Sequence, residues 1–245
     1  MSERDSIYAG QEEGNDPKAA PFEFSESVVR VFPDMIERSV PGYRLLLELT
    51  PLMVRRAVQP DTRIYDLGCS LGAATLAARR AVGVEGVEIV AADTSPDMVR
   101  RCREMIAADN SRVPVDVVEA DACDLAIDNA SIVLMYFTLQ FIARDKREAL
   151  LRTIAEGLQP GGILLLAEKL AFDSADQAWL DSHHHDFKRE QGYSDLEIAR
   201  KRQALENVLV PEARARHHQL LLDAGFSQVI DWFQCFNFSA MAAIR

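Results

Sequence analysis

The chain has 245 residues, with 27 Lys and Arg against 38 Asp and Glu, and a net charge of −11. A broad phosphate-binding face is therefore not expected, and a small-molecule substrate fits the balance better than RNA or DNA. Four cysteines lie far apart without a C-x-x-C pair (Cys69, Cys102, Cys123, Cys235), no apolar run approaches membrane-spanning length, and the polar N-terminus lacks a signal-peptide core. These features argue against a disulfide framework, a metal site and a membrane anchor, and for a soluble cytoplasmic protein.

Residues 1–21 are rich in Gly, Glu, Asp, Ala and Ser and read as a disordered or loosely attached tail. Residues 22–245 read as one domain. From 22 to 58 apolar residues recur at helical spacing (Val28, Val29, Phe32, Met35, Ile36, then Leu45, Leu46, Leu49), punctuated by Pro33, Pro41-Gly42 and Pro51. Several short helices capping one end of a sheet are expected. Tyr43 follows the Pro41-Gly42 turn; from its surroundings alone it reads as a half-buried tyrosine, with ligand contact the weaker alternative.

The organising stretch is Ile64-Tyr65-Asp66-Leu67-Gly68-Cys69-Ser70-Leu71-Gly72, a buried strand that turns into a helix starting near Ala73. A ligand at that turn would meet free N–H groups at a helix start. Two readings compete. Gly68 to Gly72 matches the G-x-S-x-G nucleophile elbow of α/β-hydrolases. It also resembles the D-x-G-x-G-x-G loop of class I S-adenosylmethionine (SAM) dependent methyltransferases, with Ser70 where the second Gly usually stands. The elbow needs an oxyanion-hole loop and a late histidine after a strand, and neither is visible. The next strand, 88–93, ends in Asp93, about one βαβ unit on, where an acid grips ribose hydroxyls.

Strand and helix then alternate, the pattern of a parallel sheet covered on both faces. Strands are expected at 63–68, 88–93, 115–120, 131–137 and 163–170, with helices beginning near Ala73, Pro96 and Asp145. Ser95-Pro96-Asp97 carries an N-cap serine, an N1 proline and a first-turn acid. Residues 158–162, Leu-Gln-Pro-Gly-Gly, read as a turn into the fifth strand. Helices at 173–192 and 194–209 interrupt the alternation as a lid (173–209). A further helix at 213–223 and an antiparallel hairpin, 229–233 with 236–244, close the chain. The expected fold is Rossmann-like, with a seven-stranded, mostly parallel sheet.

Further segments sharpen the reading. Val31-Phe32-Pro33-Asp34-Met35-Ile36, Arg38-Ser39-Val40-Pro41-Gly42-Tyr43, Phe137-Thr138-Leu139-Gln140-Phe141, His184-His185-Asp186-Phe187-Lys188-Arg189 and Trp232-Phe233-Gln234-Cys235-Phe236-Asn237-Phe238 resemble the carboxy-SAM synthases from about Phe24 to the end. The resemblance implies SAM and prephenate as substrates, carboxy-SAM and phenylpyruvate as products, no metal, and a homodimer. The product then serves a separate enzyme that modifies the wobble uridine of tRNA. It implies no direct nucleic-acid binding, which suits the acidic chain.

Carried over residue by residue, the resemblance places SAM-type ligand contacts on Tyr43, Gly68, Cys69, Ser70, Asp93, Asp121 and Arg202. Asp93 would accept from the ribose and Asp121 from the adenine amino group. Three neighbours depart from the family pattern: Thr94 beside the ribose acid, Ala122 beside adenine, and Tyr136 in place of an Asn; all three stay in the candidate set. Arg202 is the candidate catalytic residue, its guanidinium suited to the carboxylate that SAM lacks. Its bland reading is a surface pair with Glu206 at i+4. Adjacent histidines 183–185 point in different directions on a helix and do not suggest a metal. Glu168 and Lys169 lie near the substrate entrance, or else at a solvated strand end. Cys69 has no neighbouring base and reads as a small loop residue. The resemblance implies that prephenate loses its ring carboxylate, that a proton leaves the SAM methyl, and that the ylide carbon captures the carbon dioxide. A conventional small-molecule methyltransferase and a non-catalytic SAM-binding module are the alternatives.

Overall fold

Largely apolar runs build the middle of the sheet. In the computed structural model, which describes residues 3–9, 25–206 and 208–245, strands β1 (Arg63–Leu67), β2 (Glu88–Asp93), β3 (Val115–Glu119), β4 (Ala130–Tyr136) and β5 (Leu158–Ala171) run parallel. A two-residue strand, β6 (Glu212–Ala213), lies beside the end of β5, and β7 (Gln228–Cys235) and β8 (Phe238–Ile244) close the sheet antiparallel. The order is β3-β2-β1-β4-β5-β8-β7, the Rossmann-like arrangement expected.

Burial on both faces explains the continuous apolar strands. From β4, Ile132 and Leu134 face one layer with Ile64, Ala74, Ala78 and Val54, while Val133 and Met135 face the other with Leu150, Leu151, Ile154 and Leu221. The layers come from helices α1 (Glu26–Ser39), α2 (Tyr43–Ala57), α3 (Ala73–Arg79), α4 (Pro96–Ala108) and α5 (Arg144–Gly157), and from α8 (Arg214–Asp223); α6 (Ser174–Glu190) and α7 (Asp195–Leu205) form the lid. Ser95 caps α4, accepting from Met98 N–H at 3.3 Å. Ser194 and Glu197 form a complete capping box on α7.

Four expectations change. The N-terminal cap is two helices of 14 and 15 residues that run through Pro33 and Pro51 rather than several short ones. An interior proline costs a helix about 3 kcal/mol, and the burial of Val28, Val29, Val31 and Met35 beside Met98 offsets it for α1. The expected turn at 158–162 is a bulge within β5: Leu158 pairs with Ala130 and Ile163 with Ile132, leaving the intervening residues of β5 without partners on β4. Glu168 and Lys169 are not at a solvated strand end: Glu168 is fully buried and Lys169 half-buried within β5.

Residues 3–9 belong to the stretch expected to be loose, yet they are docked; the rest of that stretch, residues 1–2 and 10–21, lies outside the described residues. Asp5 is 3% exposed. Its carboxylate accepts from Tyr193 Oη at 2.5 Å and faces Lys201 Nζ at 3.5 Å, and its N–H donates to Asp34 at 2.7 Å. Arg38 stacks 3.9 Å over the Tyr193 ring and donates to Gln191 O at 2.7 Å. The segment thus straps α1 to the lid through buried polar partners, which composition alone does not reveal.

Candidate active site

The carboxyl ends of β1 to β5 open into a cavity of about 600 Å³, roofed by α1 and the lid helices. That volume suits a nucleoside-sized ligand with room beside it. Gly68 has φ 78°, and a Cβ there would collide with Thr138 Oγ1 from the loop after β4. Glycine is required twice over, for the backbone and for the approach. Gly72 sits at φ 83°, with Cys102 Sγ 2.8 Å from where its Cβ would be. Ser70, standing where the family loop carries glycine, holds φ 54°, so a serine bears a left-handed conformation at the cavity floor.

Asp93 explains how that loop is held. One of its oxygens accepts from Ser70 N–H and the other from Ser95 N–H, each at 2.9 Å. Burial raises its pKa, and the N–H groups of Ser95, Ser70 and Thr94 oppose the rise. Each oxygen keeps a lone pair for a ribose hydroxyl. Asp121, exposed at the cavity rim, accepts from Cys123 N–H at 2.9 Å. Asp66 is 2% exposed and accepts from Thr75 Oγ1 at 2.5 Å. Burial pushes its pKa up to about 6, against the Thr75 hydrogen bonds.

Tyr136 ends β4 inside the cavity. Thr50 Oγ1 donates to Leu46 O at 2.9 Å, so the 3.0 Å contact between Thr50 Oγ1 and Tyr136 Oη has the phenol as donor. Tyr136 therefore offers the cavity only acceptor lone pairs, toward an amine or a polarised C–H. Next to it, Phe137 holds φ 59° and tilts against Tyr43 with ring centres 6.2 Å apart.

Nine candidates from the sequence line this one cavity: Tyr43, Gly68, Cys69, Ser70, Asp93, Thr94, Asp121, Ala122 and Tyr136. Arg202 does not. It is exposed on α7, in an outer hollow with His185, Arg189, Asp195 and Glu206. Cys69 is buried against Cys102, and that contact together with burial pushes its thiol pKa far up, so it is no thiolate nucleophile. Ser70 Oγ meets Met98 Sδ at 3.7 Å rather than a histidine, which removes the elbow's general base.

Of the opposite wall, the sequence reading placed only Lys169 near the substrate; the roles of His184, Lys188 and Lys201 escaped it. Lys169, His184, Lys188 and Lys201 line this wall, beside Phe137 and Phe238. His184 Nε2 lies 2.7 Å from Ser39 O, which can only accept, so this nitrogen carries the proton. Burial, aided by Lys188, pushes the His184 pKa down to about 3. Burial first, then neighbouring lysines, lowers Lys188 to about 7. Behind the wall, Glu168 accepts from Leu139 N–H and Gln140 N–H, each at 2.9 Å, and burial raises it to about 8. It fixes the short 3-10 turn Leu139–Phe141 that frames the cavity. His183 stacks on Trp179 at 3.8 Å while His185 faces the outer hollow, so the three histidines diverge. Among the described residues no group of three His, Cys, Asp or Glu could hold a metal, and no helix is long and apolar enough to cross a membrane.

Comparison with known proteins adds three findings. A family described as "Methyltransferase domain" matches residues 64–162. The chain is 51% identical over 93% of its length to the carboxy-S-adenosyl-L-methionine synthase of Vibrio campbellii, covering 94% of that protein. It is 49% identical to the one from Vibrio cholerae (100% of this chain, 98% of that one) and 48% to the one from Yersinia enterocolitica (99% and 90%). Among solved structures, an O-methyltransferase family protein of Burkholderia thailandensis matches with a TM-score of 0.63 at 16% identity, over 87% of this chain and 57% of that one. Human N-acetylserotonin methyltransferase, solved with SAM, matches at 0.58 and 18%, over 90% and 56%. The chain thus spans little more than half of those two solved chains, and at such identity they speak for the fold alone.

Proposed function

The chain belongs to the carboxy-S-adenosyl-L-methionine synthases, and from that premise we propose that it makes carboxy-SAM from SAM with prephenate as the carboxyl donor. The observation that carries this is identity of 51% across 93% of the chain to a relative bearing that name. The cavity supports it: Asp93 and Asp121 line one end, and Lys169, Lys188 and Lys201 the other. Residues 22–245 act as one SAM-binding domain. Asp93 holds the ribose, Asp121 and Ala122 meet adenine, Thr94 flanks the ribose, and Tyr43, Gly68, Cys69, Ser70 and Tyr136 surround the methionine part.

In the proposed reaction prephenate gives up its ring carboxylate as carbon dioxide and its hydroxyl as hydroxide, leaving phenylpyruvate. The hydroxide takes a proton from the sulfonium methyl and becomes water; the carbon so freed bonds to the carbon dioxide. Atoms and charge balance with no protein base. The chain contributes proximity, water exclusion under the lid, and charge for the new carboxylate. Arg202 is exposed and does not line its own cavity, so in this proposal it reaches the carboxylate across a homodimer interface. The product leaves for a separate cytoplasmic enzyme acting on the tRNA wobble uridine, and no nucleic acid binds here.

The nucleoside that co-purifies with the protein tests the reading. Mass spectrometry should find carboxy-SAM on the wild type and mainly SAM on Arg202→Ala. SAM or its demethylated product on the wild type, from cells that make prephenate, would favour the methyltransferase reading.

A further inference from the structure

Two ammonium groups of the cavity wall have no direct ion-pair partner among the described residues. Lys169 is near the carboxyl end of β5, opposite Phe238 on β8. Lys188 follows His184 by one turn of α6, so both face the same way. Among the described residues neither ammonium makes a hydrogen bond or ion pair, whereas Lys201 on the same wall is taken up by Ser39 Oγ at 2.8 Å and Asp5 at 3.5 Å. Lys169 and Lys188 are half-buried, and burial lowers the pKa of both; Asp181 is the carboxylate that opposes the effect in each case. Partly desolvated like charges with no carboxylate in direct contact carry a cost that a bound anion offsets.

What lies between these cations and the methionine end is aromatic. Tyr43 tilts on Phe137 at 6.2 Å, Phe137 meets Phe238 edge-on at 6.0 Å, and Phe238 meets His184 edge-on at 5.1 Å. The row leads from the glycine loop side to the lysines. From β2, which carries Asp93, to β5, which carries Lys169, is three strand steps, about 14 Å. A nucleoside held at Asp93 extends its sulfonium toward β4 and leaves the β5 end for a second molecule.

We infer that Lys169 and Lys188 bind the side-chain carboxylate of the second substrate, with Phe137 and Phe238 against its ring. The ligand class is a ring-bearing dicarboxylate. This rests on the synthase reading and adds which residues select the carboxyl donor. The arrangement places the donor's ring carboxylate beside the sulfonium methyl, so the released carbon dioxide need not leave the cavity.

The test uses full-length Lys169→Gln, Lys188→Gln and Lys188→Arg. With SAM saturating, each Gln variant should raise the KM for prephenate by about tenfold or more, with a smaller change in kcat. Calorimetric Kd for SAM should stay within about twofold, and Lys188→Arg should keep most of the wild-type KM because it keeps the charge. An unchanged KM in both Gln variants would overturn the inference while leaving the synthase reading intact. A loss of SAM affinity matching the loss for prephenate would overturn it too, since the lysines would then hold the methionine carboxylate. Should the wild type make no carboxy-SAM, the synthase reading fails by itself. Calorimetry of prephenate on SAM-loaded protein still decides the site: binding that both Gln variants lose upholds it, and binding they retain, or none to wild type, ends it.

Discussion

The two ends of the cavity are built on different principles. At the β1–β3 end, acidic side chains on strand termini are fixed by backbone N–H groups within a few residues of a tight turn: Asp93 by Ser70 and Ser95, Asp121 by Cys123. At the β5 end, cations come from a strand and two lid helices, and the lid is held by a strap from the start of the chain. The first end is local and pre-formed. The second depends on contacts between residues nearly two hundred positions apart, such as Asp5 with Tyr193. A binding function can therefore stay with the sheet while the lid and its lysines decide the reaction partner.

The largest expected effect falls on the local end. Asp93→Ala should weaken SAM binding by at least about tenfold, since two charge-assisted ribose hydrogen bonds are worth up to about 1.5–3 kcal/mol each. The same change unties the Ser70 and Ser95 N–H groups. Calorimetry on the folded variant checks it, and unchanged affinity would remove Asp93 from the nucleoside site.

Next comes the strap. Asp5→Ala leaves Lys201, which burial already pushes down to about 8, without its carboxylate. Breaking a buried pair costs about 3–5 kcal/mol at most, less if the segment undocks. Hydrogen exchange should then rise in α6 and α7 and stay unchanged in β1–β4. Equal loosening of both regions would break the division between the two ends.

The lysine end should also carry a pH signature. Lys188 lies near 7, lowered by burial and by Lys201, Lys169 and Arg202 against Asp181. It is charged below that value and neutral above, so the KM for prephenate should rise about three- to tenfold between pH 6.5 and 8.5. The Kd for SAM should not follow. Parallel pH profiles for both ligands would contradict the separation.

These contrasts explain what could be read from the residues alone. The spacing from Asp66 to Gly72 and on to Asp93 is a local signal, and the succession of strands and helices follows from alternating patterns, so the sheet's elements and its glycine turn were legible. Lys188 sits in His-His-Asp-Phe-Lys-Arg and Lys201 in Ala-Arg-Lys-Arg-Gln, both of which look like solvated helix faces. Asp5 sits in a polar tail. Nothing local marks such charges as buried; tertiary packing does. Arg202 was singled out only through family resemblance, and it lies outside its own cavity. Pro33 and Pro51 signal helix breaks that amphipathic packing overrides.

The smallest effect tests a detail of the nucleoside end. Tyr136→Phe removes an acceptor while Thr50 keeps its bond to Leu46. The expected loss in SAM affinity is about 1 kcal/mol, roughly fivefold. No loss would mean that the phenol only braces α2 against β4.

The central claim is that the two ends hold two substrates so that carbon passes between them. Prephenate labelled at its ring carboxylate, incubated with SAM and the purified protein in the absence of tRNA, tests this most directly. The account predicts the label in the nucleoside product, which is carboxy-SAM, with unlabelled phenylpyruvate formed in equal amount. Label lost to solution as carbon dioxide, or a methylated acceptor with no labelled nucleoside, would contradict it.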